Sequence, residues 1–188
     1  MDSLLPVTPT LTPDEFVRKW RGMSLKERSA SQSHFNDLCH MLGWPTPTDA
    51  DKEGVFYAFE RGAKVLGKGD GWADVWLRGH FGWEYKGPKK DLADAYEQLQ
   101  LYRESLENPP LLIMSNLDVI EVHSNFTNMA KRVERFALDD LLKPERPELM
   151  SIEEVDGVVD QAETSMVRDL HHLHYSSRSL SHSNKRKA

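Results

Sequence analysis

The sequence predicts an α/β fold: a helix, a three-strand antiparallel meander, a helix and two further strands, giving a mixed central sheet flanked by helices. Three observations predict it. Helix-start patterns stand near the N-terminus, apolar and polar residues alternate on both sides of Arg78-Gly79-His80, and an amphipathic stretch from Asp91 precedes the apolar run Leu111-Leu112-Ile113-Met114. At 188 residues, 39% hydrophobic and 29% charged, the chain is long enough to bury a core and too apolar to stay unfolded. It contains no apolar run near the ~20 residues of a membrane helix, and MDSLLPVTPT lacks the features of a secretory signal. Cys39, the one cysteine, allows no internal disulfide. The expectation is one domain with appendages, in a reducing cytoplasmic setting and without membrane contact.

The elements follow in order. Residues 1–11 are a Pro/Thr-rich lead. Thr12-Pro13-Asp14-Glu15 supplies a capping hydroxyl, a proline at the first helical position and an acid three residues after the cap, so a helix starts there and ends at Gly22. Ser24-Leu25-Lys26-Glu27 repeats the pattern and opens a helix to Leu42, closed by Gly43; its apolar stripe is Leu25, Phe35, Leu38, Cys39 and Leu42. Trp44 to Gly54 reads as loop. Val55 to Glu60 is strand-like, with a glycine-rich loop through Gly71, and two strands flank Gly79. Asp91 and Asp94 can cap a helix to Glu107, with Leu92, Ala95, Tyr96, Leu99, Tyr102 and Leu106 on its inner face. Strands at Leu111–Met114 and Val119–His123 are joined by the turn Ser115-Asn116-Leu117-Asp118. Residues 129–150 read as a polar connector with a short helix near 138–142, and residues 151–188 as a disordered or loosely helical tail.

The hairpin carries the chemistry. Ala73, Val75 and Leu77 share one face of its first strand, and Phe81, Trp83 and Tyr85 one face of its second. Both apolar faces meet one core only if Leu77 opposes Phe81, Val75 opposes Trp83 and Ala73 opposes Tyr85, which selects the three-residue loop Arg78-Gly79-His80. That register sets Asp74 opposite Glu84. Two facing carboxylates repel, and a hard divalent cation held by oxygen ligands neutralises them. Lys86 points to the same side as Glu84. Two acids on a metal beside an ammonium suit phosphodiester hydrolysis, because the metal acidifies water and polarises a phosphoryl oxygen while the lysine stabilises developing charge. Without a metal, the same residues make a solvated hairpin face with Lys86 paired to Glu84.

Net charge is −6, but residues 52–90 carry eight bases and five acids, leaving +3 in this window and −9 elsewhere. A locally basic face is compatible with phosphate contacts.

These residues resemble the PD-(D/E)XK nuclease superfamily, whose core is of the restriction-endonuclease type. The stretch from Gly71 through Thr127, with FERG at 59–62 and SHFNDLCHMLGWPTP at 33–47, is similar to the N-terminal nuclease domain of MmeI-like, type IIL restriction-modification enzymes. The resemblance covers residues 14–143 and places the nuclease-like domain at 12–128. It implies a magnesium-dependent endonuclease acting on double-stranded DNA, with manganese able to substitute. Asp74, Glu84 and Lys86 stand at the family's acid, acid and lysine positions. Gln98 and Tyr102 match a Gln-x3-Tyr pattern; the alternative is that Tyr102 belongs to the apolar stripe and Gln98 to its edge. Glu27 is either an extra acid near the metal or the third residue of a capping box, and Glu60 either a ligand or half of a rim salt bridge. Lys68, Arg78, Lys89 and Lys90 are candidate phosphate contacts.

MmeI-like chains continue into a helical spacer, a methyltransferase and a target-recognition region. The expectation here is a nuclease domain, truncated or free-standing, with a separate methyltransferase or specificity polypeptide and a homodimer for double-strand cutting as candidate partners. Asn108-Pro109-Pro110-Leu111 lacks the aromatic residue of an adenine-methyltransferase motif and reads as a helix-to-strand link. His171, His172 and His174 have no acid or cysteine at ligand spacing, and Cys39 lies on an apolar stripe as a core thiol. The competing readings are a non-catalytic, nuclease-fold DNA-binding remnant and, from Gln98 and Tyr102, an RNA or single-strand exonuclease.

Overall fold

The computed structural model describes residues 4–23, 27–65, 69–87, 91–126 and 130–143. The readings placed on Lys68, Lys89, Lys90 and the tail from residue 151 lie outside these residues.

Helix α1 spans Pro13–Trp20, and its capping box is complete: the Thr12 hydroxyl accepts from the Glu15 N–H, and the Glu15 carboxylate accepts from the Thr12 N–H at 2.9 Å. Helix α2 runs Glu27–Leu42 and stops at Gly43, whose φ of +73° suits a residue without a Cβ. Within the stretch read as loop, Pro47–Ala50 forms a one-turn helix, α3, because Thr46 caps it and proline starts it.

Strands β1 (Tyr57–Val65), β2 (Gly69–Leu77) and β3 (Phe81–Tyr85) form the expected antiparallel meander. Strand β1 starts later than its sequence suggests: the Asp51 carboxylate accepts the N–H groups of Phe56 and Tyr57 at 2.6 and 3.0 Å and holds the chain in a bend that ends where the strand begins. It also runs further: residues 61–65 and 69–71, read as glycine-rich loop, are paired strand. Helix α4 (Ala93–Tyr102) follows, with Asp91 accepting the Ala93 N–H at 3.0 Å. It ends before Glu107, where Glu107 and Asn108 take positive φ and turn the chain back. Strands β4 (Leu111–Ser115) and β5 (Val119–Ser124) come next.

A sixth strand, β6 (Val133–Ala137), occupies part of the segment read as connector, and a short 3-10 helix covers Leu138–Leu142. The sheet order is β1-β2-β3-β4-β5-β6; β3 and β4 are parallel and all other neighbours antiparallel. The molecule is thus α/β with a mixed, open sheet. Two compact units divide after Leu138: the first holds the sheet and α1–α4, and of the second Asp139–Lys143 are described.

Each face of the sheet has its own core. Phe35 of α2 packs its ring against Tyr57, Phe59, Phe81 and Trp83. On the other side Leu92, Ala95, Leu99 and Leu106 pack with Ala73, Trp76, Leu112 and Met114. The Trp76 indole donates to the Leu106 carbonyl at 3.0 Å, so its one polar group is satisfied on burial.

Candidate active site

The hairpin register holds where the apolar pattern is strongest: Leu77 opposes Phe81 and Val75 opposes Trp83 across the loop Arg78-Gly79-His80. It fails one step further on. Ala73 does not oppose Tyr85, because paired β2–β3 backbone ends at Val75–Trp83. Nor does Ala73 share the face of Val75. Val75 opposes Trp83, which packs on α2, whereas Ala73 belongs to the core beneath α4. The same reversal occurs in β1. Phe59 packs on Phe35, yet Arg61, two residues on, stacks its guanidinium 4.4 Å from the Trp76 ring on the α4 side. Between them Glu60 takes φ +53°, an uncommon conformation for a residue with a Cβ. Glu60 and Asp74 would face each other across β1 and β2, and the pairing skips both. The two strands change face together, and Asp74 stands at that point.

Freed from regular alternation, Asp74 turns its carboxylate to β3, where Oδ2 accepts the Tyr85 N–H at 2.7 Å. That nitrogen belongs to the peptide joining Glu84 to Tyr85. The first acid therefore lies against the backbone of the second. Glu84 is buried, with its side chain 7% exposed, and its Oε1 is 3.2 Å from Lys86 Nζ. The same ammonium donates to Gln98 Oε1 at 2.7 Å. The Lys86 N–H, bonded to the Ser115 carbonyl at 2.8 Å, fixes the strand end from which the side chain projects. Glu84, Lys86 and Gln98 thus meet between the end of β3 and the middle of α4, and Asp74 reaches the β3 backbone beside Glu84. Tyr102, one turn beyond Gln98, packs on β2 instead: a Cβ on Gly71 would fall 2.2 Å from its ring.

Other residues singled out from sequence lie elsewhere. Glu60 accepts from Gln32 of α2 at 3.3 Å, and so turns to the side away from α4. Glu27 opens α2, with its side chain outside the described residues. Arg78 is paired to Glu107 at 3.3 Å and lies 5.5 Å from the Trp76 ring. Cys39 is buried against the Tyr57 hydroxyl at 3.6 Å, and burial pushes its thiol up to about 12, so it stays protonated and inert.

Two further groups were not singled out from the sequence. His34 of α2 shares a 2.9 Å hydrogen bond with the Tyr85 hydroxyl and is enclosed by the rings of Phe16, Trp20 and Tyr85. Burial lowers its pKa to about 3, keeping it neutral, and burial also raises that of Tyr85. Away from this site, His123 bonds Glu121 at 2.6 Å and packs 4.2 Å from the Tyr96 ring beside a cleft of about 240 Å³. Glu121 and His123 are two apart on one strand and so share a face, which their spacing does allow one to foresee.

Among the described residues no group of three or more His, Cys, Asp or Glu side chains is placed to hold a metal. A magnesium ion does not require one: it is held by one or two carboxylates and fills its shell with water and substrate phosphate. The hard oxygens of Asp74 and Glu84 fit that demand in kind and number. Compared with protein-family models, curated proteins and solved structures, the chain has no significant match to any of them.

Proposed function

We propose that this chain is a metal-dependent DNA endonuclease domain with a restriction-endonuclease-like core, akin to the cleaving portion of type IIL restriction-modification enzymes. One observation carries the reading: the Asp74 carboxylate rests on the Glu84–Tyr85 peptide while Lys86 is tied to Glu84 and to Gln98. The order of helix, three antiparallel strands, helix and a strand parallel to β3 supports it.

Asp74 and Glu84 would hold a magnesium ion, with manganese as a substitute. When bound, the ion acidifies water and polarises the phosphoryl oxygen. The chain's own residues do the positioning. The Tyr85 N–H fixes one oxygen of Asp74, which sets the direction of the other. An ammonium has three protons, and Lys86 directs two of them to Glu84 and Gln98, leaving one for a phosphate oxygen. That hydrogen bond strengthens as negative charge grows on the pentacoordinate phosphorus, which is the condition for lowering the barrier and not merely binding substrate. Burial of Glu84 excludes competing water from the pair.

Incubating the purified chain with supercoiled and linear duplex DNA tests the reading. Cleavage is expected with magnesium or manganese, abolished by EDTA, and slowed at least about a hundredfold by Lys86→Ala, the loss typical of a missing transition-state donor. Gln98→Ala leaves the ammonium in place but unsteered, and a loss nearer tenfold is expected. A folded protein that cuts no DNA with any divalent ion would instead be the non-catalytic module.

A further inference from the structure

The cleft beside His123 lies on the α4 side of the sheet but apart from Glu84. Register runs Glu84, Met114, Glu121, Arg135 from β3 to β6, which puts Glu121 two strand spacings, roughly 10 Å, from Glu84. Met114 is buried between them. The start of α4 and Tyr96 form one wall of the cleft, and Glu121, His123 and Arg135 the other. Its carboxylates are engaged: Asp91 accepts the Ala93 N–H at 3.0 Å, and Glu121 bonds His123 and lies 3.6 Å from Arg135. Its cations are less committed. Lys131 holds its ammonium 3.9 Å from the centre of the Tyr96 ring, and no carboxylate among the described residues pairs with it. A cation held on an aromatic face keeps its N–H donors for a ligand. The Arg135 side chain is 64% exposed, and its long contact with Glu121 leaves most of the guanidinium open. His123 is 6% exposed, and its Nδ1 has no hydrogen-bond partner among the described residues. A buried polar atom left without a partner is a place for a water or an ion.

We propose that this cleft binds a phosphate monoester, with Lys131 and Arg135 holding the phosphate against the first turn of α4. Guanidinium and ammonium are the side chains that grip phosphate oxygens best. The start of a ten-residue helix adds a positive dipole end at the same place. A monoester carries roughly −1.5 to −2 at neutral pH, whereas each diester inside a nucleic-acid strand carries a single charge. The paired cations therefore favour the monoester, and the carboxylates of Asp91 and Glu121 raise the cost of a more weakly charged ligand. The site is distinct from the one proposed for DNA cleavage and does not rest on it.

The test titrates the intact chain with inorganic phosphate and with a mononucleotide, against chloride at equal ionic strength. Thermal unfolding reads the binding, since a ligand taken up only by the folded chain raises its midpoint. Both phosphates should raise it, and the imidazole NMR signals of His123, assigned with His123→Gln, should move as the cleft fills. The double variant Lys131→Ala, Arg135→Ala should weaken binding by about tenfold or more, the loss expected when hydrogen bonds to a charged group are removed. Arg132→Ala removes a cation from the neighbouring position, which alternation turns to the other face, and should change nothing. Tighter binding of the mononucleotide names an ester as the ligand, and equal binding names the free ion. A labelled oligonucleotide with and without a terminal phosphate asks whether a strand end is also accepted. No phosphate-specific rise in the midpoint, or a loss in Arg132→Ala equal to that of the double variant, overturns the proposal. None of these readouts involves cleavage, so a chain that cuts no DNA leaves the result standing.

Discussion

His34 is a polar side chain surrounded by Phe16, Trp20 and Tyr85, and that setting makes its charged form expensive. Its pKa in the folded chain falls from the ordinary 6.5 to about 3. The unfolded chain takes up a proton below about pH 6.5 that the folded chain refuses, so this residue's contribution is fully present above that pH. It is lost as pH falls towards 3, at up to about 1.4 kcal/mol per pH unit. Carboxylates titrate at the acid end of that range, so the useful window is pH 6.5 to about 4.5, above most of them. Denaturant midpoints measured there should fall for the wild type and fall less steeply for His34→Asn, whose amide oxygen replaces Nδ1 towards the Tyr85 hydroxyl. Parallel slopes for the two proteins would mean that His34 is not the group refusing the proton. Because Tyr85 also donates its N–H to Asp74, the histidine stands one residue from the site without belonging to it.

At the scale of elements, β2 and α4 touch where Gly71 meets Tyr102. A Cβ on Gly71 would come within 2.2 Å of the Tyr102 ring, whose far side is packed in the core beneath α4. The ring has to move or the strand has to bow, and overpacking of this kind costs about 1–3 kcal/mol. Gly71→Ala is expected to lower the denaturation midpoint accordingly, and Gly71→Ala with Tyr102→Leu to recover most of the loss. No recovery in the double variant would show that the approach is not what limits this position. This contact also shows how far the elements were legible in the sequence. Tyr102 was readable as part of an apolar stripe, since helical spacing is local, but which strand residue it would press on was not. The register of Val75 with Trp83 and Leu77 with Phe81 followed from alternation, whereas Ala73 with Tyr85 did not. Alternation assumes that faces never swap, and Glu60 at φ +53° swaps them opposite Asp74. Asp74 and Glu84 were expected to face each other, carboxylate across from carboxylate; instead Asp74 accepts the Tyr85 N–H and Glu84 is bonded by Lys86. Strand β6 was missed because an edge strand with alternating exposure, Val133 and Arg135 outermost, has no apolar run to reveal it.

Over the whole molecule, charge is divided so that attraction for a polyanion has to be local. Residues 52–90 hold +3 and the remainder −9, so a DNA strand taken by this chain would be attracted at the hairpin region and repelled elsewhere. Binding by such a molecule depends steeply on salt, because each phosphate neutralised by a base releases a counterion. With Lys68, Arg78, Lys89 and Lys90 as four contacts, the slope of log K against log salt is expected at roughly −3 to −4 on duplex DNA. Arg78 has to leave Glu107 to take part, so its share is the smaller one. Anisotropy of labelled duplex in EDTA, read from about 50 to about 200 mM salt, measures the slope. The double variant Lys89→Ala, Lys90→Ala should make it shallower by about 2, one unit for each phosphate given up. A slope the double variant leaves unchanged would remove this pair from the path of the strand. The slope would then have to come from Lys68 and Arg78, and Arg78→Ala should make it shallower by about 1.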